Sequence, residues 1–299
     1  MLLLTIIHHK FKEDVAEEIC KLKEYFKSQN IIIGISESIE DDTHFIKIFC
    51  NDLDYNNKLI NMFNIFMANI LYGIVIDEFY KKEMQNFLAD TYFFLKYEEI
   101  VEVTALGAKA LKSEGAILDE SMVYCINRKN SITEKITKCI EENREINIKG
   151  FITFRMKEFR EDLESIIDKV VEHYMAEKEY NEFIKLLKYF VEIQDSKIDE
   201  VNIIFKENGD YLIQDNNGED IFSILTSELS EAKYTGTVSV EDMLISGLIT
   251  NCPKKINIHC SYNCVNSELL ETIRNVFLDR VVFCNKCEMC KLIKSTIKV

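Results

Sequence analysis

The sequence predicts a mainly helical α+β protein whose β-strands are concentrated near its two ends. Only one proline and nine glycines occur among 299 residues, and this scarcity of helix-breaking residues favours long helices. Helix-periodic apolar patterns fill the middle of the chain, whereas β-branched runs lie on either side of it. Hydrophobic residues make up 47% and charged residues 29%, a balance typical of folded globular proteins.

These patterns divide the chain into three parts. Residues 1–52 are predicted to form a small β-α-β-β piece, residues 53–195 a helical region, and residues 196–299 an α/β piece that carries a cysteine cluster. The C-terminal piece combines a β-meander with a β-α-β unit. The strands of the first and third parts either form separate sheets or share one sheet, and the sequence is compatible with both arrangements.

Within the N-terminal piece, the apolar pattern changes from strand-like to helical and back. Residues 2–7 and 31–35 are rich in β-branched side chains and predict strands. Residues 13–28 place apolar side chains four, three and four positions apart, which predicts a helix. The pair Asp41-Asp42 marks a turn before a further strand at residues 45–49.

The middle region is predicted to be helical almost throughout, with a break at residues 145–147. Its last helix carries an apolar seam from Ile152 to Val170, in which the spacing alternates between four and three positions. This spacing is typical of a helix that packs along a neighbouring helix. The predicted helices cover residues 54–80, 82–95, 97–113, 118–128, 131–142 and 149–194.

One segment of the first long helix is apolar enough to need a membrane test. From Leu59 to Ile76 there are 18 residues without a charge, which is the lower limit for spanning a bilayer. The three asparagines of this segment would be costly to place against lipid. We therefore expect a buried core helix and no membrane span, with an interfacial or partner-facing helix as the alternative.

The C-terminal piece begins with turn signals between short apolar runs. Residues 201–205 and 211–213 flank Asn208-Gly209, a pair that favours a two-residue hairpin turn. A second turn at Asn217-Gly218 precedes residues 221–224, which are predicted to complete the meander. The pattern then predicts a helix at 240–249, followed by a strand at 255–259, a helix at 267–278 and a strand at 280–283, a β-α-β unit that leads to Cys284.

Several segments are distinctive in their residue order. Residues 147–157 (NIKGFITFRMK) are followed by 168–174 (DKVVEHY) and 177–191 (EKEYNEFIKLLKYFV), and residues 253–259 (PKKINIH) precede the terminal cysteines. Together with the terminal cysteine run, these segments resemble the YtxC family of sporulation proteins from endospore-forming Firmicutes, over nearly the whole chain. The resemblance implies a cytoplasmic protein linked to sporulation, and it implies no catalytic residue.

The cysteines are concentrated near the C-terminus. Six of the ten lie in the last 48 residues, and three form the run Cys284-x-x-Cys287-x-x-Cys290. Thiolates at this spacing converge on one metal when a tight turn presents them. The N-terminal residues lack the basic region of a secretory signal, so we expect a reducing cytoplasm, where clustered cysteines more often serve metal or redox chemistry than disulfides. The candidates for a fourth ligand are Cys264, Cys260, His259 and Cys252.

Four interpretations of this cysteine run stay open. Zinc bound by Cys284, Cys287, Cys290 and a fourth ligand is the leading metal site. An iron–sulfur cluster is less favoured, because a ferredoxin run continues with a further Cys followed by Pro, and residues 291–299 contain neither. The other two interpretations are a reversible dithiol switch at Cys284 and Cys287, and a set of reduced thiols without a ligand.

A basic and aromatic stretch lies near the start of the last predicted helix. Lys149, Arg155, Lys157 and Arg160 alternate with phenylalanines, a pattern that could hold an anion, a nucleotide or nucleic acid. The net charge of −15 argues against non-specific nucleic-acid binding. Neighbouring acidic residues also offer pairing partners within the helix, which makes these four residues weak candidates.

No motif of a known enzyme class accompanies these features. The sequence lacks a P-loop, a dinucleotide-binding glycine motif and a G-x-S-x-G nucleophile motif. We therefore expect a cytoplasmic, sporulation-associated protein that acts through protein partners, with or without a structural metal at its C-terminus, and we favour a non-enzymatic role. The alternatives are a nucleic-acid or nucleotide-binding regulator that uses the Arg155 region, and an enzyme or redox switch based on the C-terminal cysteines.

Overall fold

A computed structural model describes residues 1–9, 13–113, 120–225, 239–284, 286–288 and 290–291 of the protein. Its mainly helical architecture with two small mixed sheets confirms the predicted α+β class. The chain divides into two units, Met1–Ala176 and Glu177–Val299. The first unit thus combines the predicted β-α-β-β piece with most of the helical region, whereas the sequence pattern divides the chain at 52/53 and 195/196.

The first sheet belongs to the N-terminal unit and has the strand order β2-β3-β1-β4. Strand β1 (Leu2–His9) pairs antiparallel with β3 (Thr43–Cys50), which pairs antiparallel with β2 (Ile33–Glu40). Strand β4 (Glu145–Asn147) lies parallel to β1. The sequence pattern predicts a break there instead of a strand, because three residues are too few to show alternation and the hydrogen bonds come from pairing with β1.

The helices of this unit follow the predicted pattern with one exception. Helix α2 (Asn57–Lys82) begins after Asn56, whose side chain accepts a hydrogen bond from the Leu59 N–H at 2.9 Å. The prediction of separate helices at 118–128 and 131–142 is wrong, because α5 (Glu120–Glu142) is continuous; residues 118 and 119 lie outside the described part. Cys125 and Ile132, seven positions apart on either side of the predicted break, are buried in the same core, so one apolar helical face continues through residues 129 and 130. The other helices are α1 (Glu13–Ser28), α3 (Met84–Thr91), α4 (Tyr97–Lys112) and α6 (Ile148–Ile193).

One apolar core joins the first sheet to these helices. Ile6 and Ile48 of the sheet, Phe63 and Val75 of α2, and Phe159 of α6 belong to this core and are each at most 1% exposed. Helix α2 is long and apolar enough to cross a membrane by length and composition alone, yet 56% of its most apolar window is buried inside the structure. Its buried side chains therefore pack as those of a core helix do.

The second sheet belongs to the C-terminal unit and has the order β6-β5-β7-β8. Strands β5 (Glu200–Phe205) and β6 (Tyr211–Gln214) form the predicted hairpin, while β7 (Lys255–His259) and β8 (Val281–Cys284) extend the sheet in parallel. The hairpin turn spans residues 207–209 and not two residues, because the Lys206 N–H donates to the Asp210 carbonyl at 2.7 Å. The strands from the two ends of the chain therefore form separate sheets.

The predicted third strand of the meander, at residues 221–224, is wrong. Phe222–Leu225 forms a short helix, α7, and the residues before it contact the sheet through the Gln214–Asp220 bridge and through the hydrogen bond from the Ile221 N–H to the Ile213 carbonyl at 3.0 Å. The Asp220 carboxylate accepts a hydrogen bond from the Phe222 N–H at 2.9 Å, which starts a helical turn as a capping residue does. Helices α8 (Val240–Asn251) and α9 (Ser267–Phe277) follow.

Alternation along the strands separates an apolar face of the second sheet from a polar one. Val201, Ile203 and Ile258 are buried in one core with α8, α9 and the last part of α6. Because successive strand residues point to opposite faces, Asn202 and His259 project from the other face. Both are buried as well, so the second sheet carries buried polar groups close to the end of β7.

Candidate metal centre

The candidate site lies at the edge of the second sheet where β7 and β8 end. The two strands are parallel neighbours, with His259 directly opposite Cys284. The carboxyl ends of parallel strands meet at the same edge, so the connection through α9 brings the last residues of both strands together. The chain then turns back, and the Cys290 thiol donates to the Cys284 carbonyl at 3.2 Å.

Four potential ligand atoms converge at this edge. A ring nitrogen of His259 and the sulfurs of Cys284, Cys287 and Cys290 all lie within 4.8 Å of one another. The Cys287 sulfur is 3.3 Å from Nδ1 of His259 and 3.5 Å from the Cys290 sulfur, which is itself 3.6 Å from Nδ1. Ligands of a tetrahedral zinc ion are separated by about 3.6–3.8 Å, given Zn–S and Zn–N bonds of about 2.3 and 2.05 Å. These three distances fit one tetrahedral ion to within about 0.3 Å, and the Cys284 sulfur lies within 4.8 Å of the other three atoms.

Burial and local hydrogen bonds move the pKa values of these groups in different directions. Burial lowers the pKa of His259, which favours the neutral imidazole that a metal requires. Hydrogen bonds from the backbone of Lys286 and Cys287 lower the pKa of the Cys284 thiol, whereas burial raises the pKa of Cys290 to about 12. A divalent cation at this point would reverse the effect on Cys290, because a coordinated thiol loses its proton.

A chain of hydrogen bonds on the polar face fixes the tautomer of His259. The Glu200 carboxylate only accepts hydrogen bonds, so Nδ2 of Asn257 donates to it and also, at 3.0 Å, to Oδ1 of Asn202. The same Oδ1 lies 3.2 Å from Nε2 of His259, while Nδ2 of Asn202 donates to the Asp215 carbonyl at 3.2 Å. Nε2 of His259 therefore carries the proton, and Nδ1 presents its lone pair toward the sulfurs.

Comparison with known proteins assigns the chain to a family. The YtxC-like family model matches residues 65–282. The chain belongs to the YtxC-like family. It is similar to the uncharacterized protein YtxC of Bacillus subtilis (strain 168), with 25% identity over 224 residues that cover 72% of this chain and 75% of that protein. No solved structure matches the chain.

The YtxC-like match confirms the resemblance noted in the sequence. It covers the distinctive segments 147–191 and 253–259, and with them His259 and its hydrogen-bond partner Asn202. The match ends before Cys284. The three cysteines of the candidate site therefore lie beyond the part of the chain that is matched to the YtxC-like family.

The other predicted ligands of this YtxC-like chain lie outside the set of four. Cys260 is buried and has a φ of +54°. Its side chain hydrogen-bonds to that of Cys290. The Cys264 thiol donates to a main-chain carbonyl two residues away at 3.0 Å. The Cys252 thiol donates to a main-chain carbonyl of α6 at 3.2 Å and accepts from Arg280 at 3.1 Å. Of the four candidates for the fourth ligand, His259 is the one in the set.

Two of the four basic residues predicted to bind an anion are paired with carboxylates. Arg155 bonds to Glu158 at 2.9 Å, and Arg160 bonds to Glu83 at 2.8 Å. A groove of about 460 Å³ lies beside Arg160, but Glu83 and Glu164 line it as well. Its lining thus mixes both signs of charge, which gives an anion little electrostatic advantage.

The aromatic residues of the same stretch are mostly part of the core. Phe151 and Phe159 are buried, with ring centroids 6.0 Å apart, and are therefore not free to stack on a base. Lys149 and Lys157 are exposed, as is Phe154. An anion or nucleic-acid interface at this stretch stays a prediction from the sequence.

Proposed function

We propose that this protein is a non-catalytic, sporulation-associated protein of the cytoplasm whose C-terminal unit is held by one zinc ion. The ligands are Nδ1 of His259 and the thiolates of Cys284, Cys287 and Cys290. The observation that carries the proposal is the convergence of these four atoms within 4.8 Å. Four protein ligands fill a tetrahedral shell, which is characteristic of structural and not of catalytic zinc.

The zinc ion would tie the end of β7 to the chain that follows β8. His259 closes β7, and Cys284 closes β8 and begins the cysteine run. Because ligands from both segments must be in place, metal binding and folding of this edge are coupled. The hydrogen bond from His259 to Asn202 orients the imidazole in advance. We therefore infer a stabilising role for the metal.

The geometry favours zinc over an iron–sulfur cluster. The cysteines of a cluster are distributed over two or more irons, which holds most of their sulfurs further apart than the ligands of one ion. The sulfurs of Cys287 and Cys290 are only 3.5 Å apart, and a histidine takes the fourth position. Both features suit a single tetrahedral ion.

The biological part of the proposal rests on the family resemblance and on the state of the cysteines. The resemblance to sporulation proteins supports a role in spore formation. The ten cysteines are all free, which agrees with a reducing cytoplasm. Since the sequence has no recognised catalytic motif, we propose that the protein acts by binding partner proteins.

A dithiol switch is the second candidate function. The 3.5 Å between the sulfurs of Cys287 and Cys290 would shorten to about 2.05 Å in a disulfide, and the sequence pattern also allows the pair Cys284 and Cys287. A switch of this kind would use two of the three cysteines and give no role to His259. Zinc accounts for all four groups, so we prefer it.

Metal analysis of protein purified without oxygen tests the zinc proposal. We expect about one zinc per chain without visible absorbance. A Cys284→Ser/Cys287→Ser/Cys290→Ser variant should lose the metal. Cys264→Ser removes a thiol outside the set of four, so this matched control should keep its zinc.

Three other results are informative. If the protein contains iron and absorbs visible light, and both are lost in the triple variant, the site holds an iron–sulfur cluster and not zinc. A metal-free protein that forms a disulfide within the cysteine run on mild oxidation, detected by mass spectrometry, would support the dithiol switch. Zinc that persists in the triple variant would place the metal elsewhere and contradict the proposed ligands.

A further inference from the structure

Residues 183–193, about the last three turns of α6, carry two apolar faces. One of these faces is buried in the core of the C-terminal unit. Ile184, Leu187 and Val191 are buried in that core. The second face consists of large apolar side chains that are between 40% and 59% exposed. We call this second face the α6 stripe, and it comprises Phe183, Leu186, Tyr189, Phe190 and Ile193.

The α6 stripe is continuous along the helix. At about 100° per residue, its five side chains fall within an arc of about 120°. Phe183, Leu186, Phe190 and Ile193 are spaced three, four and three positions apart, which is the spacing of a seam that packs against another helix. Contiguous apolar surface of this kind marks interaction sites, unlike apolar side chains that are exposed singly.

The charged residues that fall on the arc of the α6 stripe are acidic. These are Glu179 and Glu182 at its N-terminal end, and neither forms an ion pair with any residue that the structure describes. Lys178 and Lys185 lie about 20° and 40° outside the arc, next to its Tyr189 edge. The whole chain also carries a net charge of −15, which disfavours a second copy as the occupant and favours a positively charged partner.

We propose that the α6 stripe docks an amphipathic helix of a partner protein that carries Lys or Arg residues beside its apolar face. The partner's apolar side chains would pack between Phe183, Leu186 and Phe190. Its basic residues would lie opposite Glu179 and Glu182. This inference rests on the proposed role in protein contacts and is independent of the zinc site.

Two synthetic helical peptides serve as probes, and fluorescence anisotropy with the full, metal-loaded chain reports their binding. Both peptides repeat leucine at alternating spacings of three and four. One carries lysines beside the leucines, and the other carries glutamates. We expect the basic peptide to bind at least about tenfold more tightly, with an affinity that falls as salt increases.

Protein variants separate the apolar contact from the charge effect. Leu186→Glu/Phe190→Glu should weaken binding of the basic peptide at least about tenfold, although added negative charge alone would attract it. Lys185→Glu makes the net charge more negative by the same amount at a position outside the arc of the stripe, so this matched control should not weaken binding. Phe183→Ser should also weaken binding, without any change of charge. Circular dichroism and thermal melting check that each variant is folded.

Equal binding by the Leu186→Glu/Phe190→Glu and Lys185→Glu variants would overturn the proposal, as would equal binding of the two peptides. Analytical ultracentrifugation of the peptide-free protein tests whether a second copy of the chain occupies the stripe instead. A dimer that Leu186→Glu/Phe190→Glu converts to a monomer would mean that a second copy covers the stripe. Zinc content is measured separately, so failure of peptide binding and failure of the zinc proposal are distinguishable.

Discussion

Each unit of the protein buries a polar cluster, and the two clusters are neutralised in different ways. In the N-terminal unit, Asp162 is 4% exposed and accepts hydrogen bonds from Arg128 at 3.0 Å, Lys135 at 2.8 Å and Ser131 at 3.2 Å. Burial raises the pKa of Asp162, but these hydrogen bonds outweigh it, and the pKa stays below the ordinary value of an aspartate. Here the chain supplies its own positive charges.

In the C-terminal unit, the buried cluster is made of electron-pair donors. Nδ1 of His259 and the sulfurs of Cys287 and Cys290 lie 3.3–3.6 Å apart, and the hydrogen bonds described for them involve no lysine or arginine side chain. A cation from outside the chain would convert these thiols to thiolates and bind them together with the imidazole. We therefore expect the N-terminal unit to be stable by itself, whereas the proposed metal edge of the C-terminal unit should depend on zinc.

Removal of the metal should have the largest effect, and it should be confined to one unit. We expect Cys287→Ser to lower the free energy of unfolding of the C-terminal unit by on the order of 3 kcal/mol or more, because a structural zinc adds its binding free energy to folding. Amide hydrogen exchange should become faster in β7 and β8 and stay unchanged in β1 and β3. A zinc chelator added to the unmodified protein should reproduce this pattern.

The control for this experiment is Cys264→Ser, whose exchange in β7 and β8 should match that of the unmodified protein. Unchanged exchange in Cys287→Ser would mean that the metal is not structural. Faster exchange throughout both units would mean that the N-terminal unit depends on the metal too.

Removal of the charge of Asp162 should destabilise the other unit by a smaller amount. Asp162→Asn keeps the side-chain shape but leaves Arg128 and Lys135 without their counter-charge. Those two side chains are 38% and 35% exposed, so the loss should be smaller than for a fully buried ion pair. We expect the free energy of unfolding of the N-terminal unit to fall by about 2 kcal/mol. Urea unfolding, followed by amide exchange in α5, measures the loss, and zinc content should not change.

The matched control and the pH dependence sharpen this prediction. Glu158→Gln breaks the exposed pair with Arg155 on the same helix and should cost no more than about 0.5 kcal/mol. A carboxyl whose pKa is lowered by folding adds stability above its unfolded pKa of about 3.9, and this contribution is lost as pH falls through the lower folded value. The difference between the unmodified protein and Asp162→Asn should therefore shrink below about pH 4. A constant difference would mean that the charge of Asp162 is not what stabilises the unit.

The fold could be predicted from the sequence wherever local pattern and tertiary contact agree. The heptad-like seam of α6, the β-branched runs and the Asn208-Gly209 turn each predict an observed element. The secondary-structure predictions are wrong where contacts with other elements determine the local conformation. Strand β4 exists because β1 pairs with it, and α5 continues through residues 129 and 130 because Cys125 and Ile132 on either side are buried in one core. Residues 222–225 form a helix and not a strand, and the Asp220 carboxylate accepts a hydrogen bond from the Phe222 N–H at its start.

The candidate site was predictable in its cysteines but not in its surroundings. Spacing singles out Cys284, Cys287 and Cys290, yet it offers four candidates for the fourth position. The parallel pairing of β7 with β8 places His259 opposite Cys284, which brings it and not the other three candidates into the set of four. Asn202 was not predicted, although a signal exists, because a polar residue within the otherwise apolar run of β5 marks a buried group that needs a partner.

Replacement of Asn202 should have the smallest effect, because it leaves all four proposed ligands in place. Asn202→Leu removes the acceptor for Nε2–H of His259, so the imidazole can present either tautomer to the metal. We expect zinc affinity, measured by competition with a chromophoric chelator, to fall about tenfold. Asn202→Asp keeps an acceptor oxygen beside Nε2 and should stay close to the unmodified protein. Equal losses in both variants would assign the effect to the hydrogen bond with the Asp215 carbonyl and not to the tautomer. A selective loss in Asn202→Leu would show that the C-terminal unit orients its ligands for a cation, whereas the Asp162 cluster already contains its own positive charges.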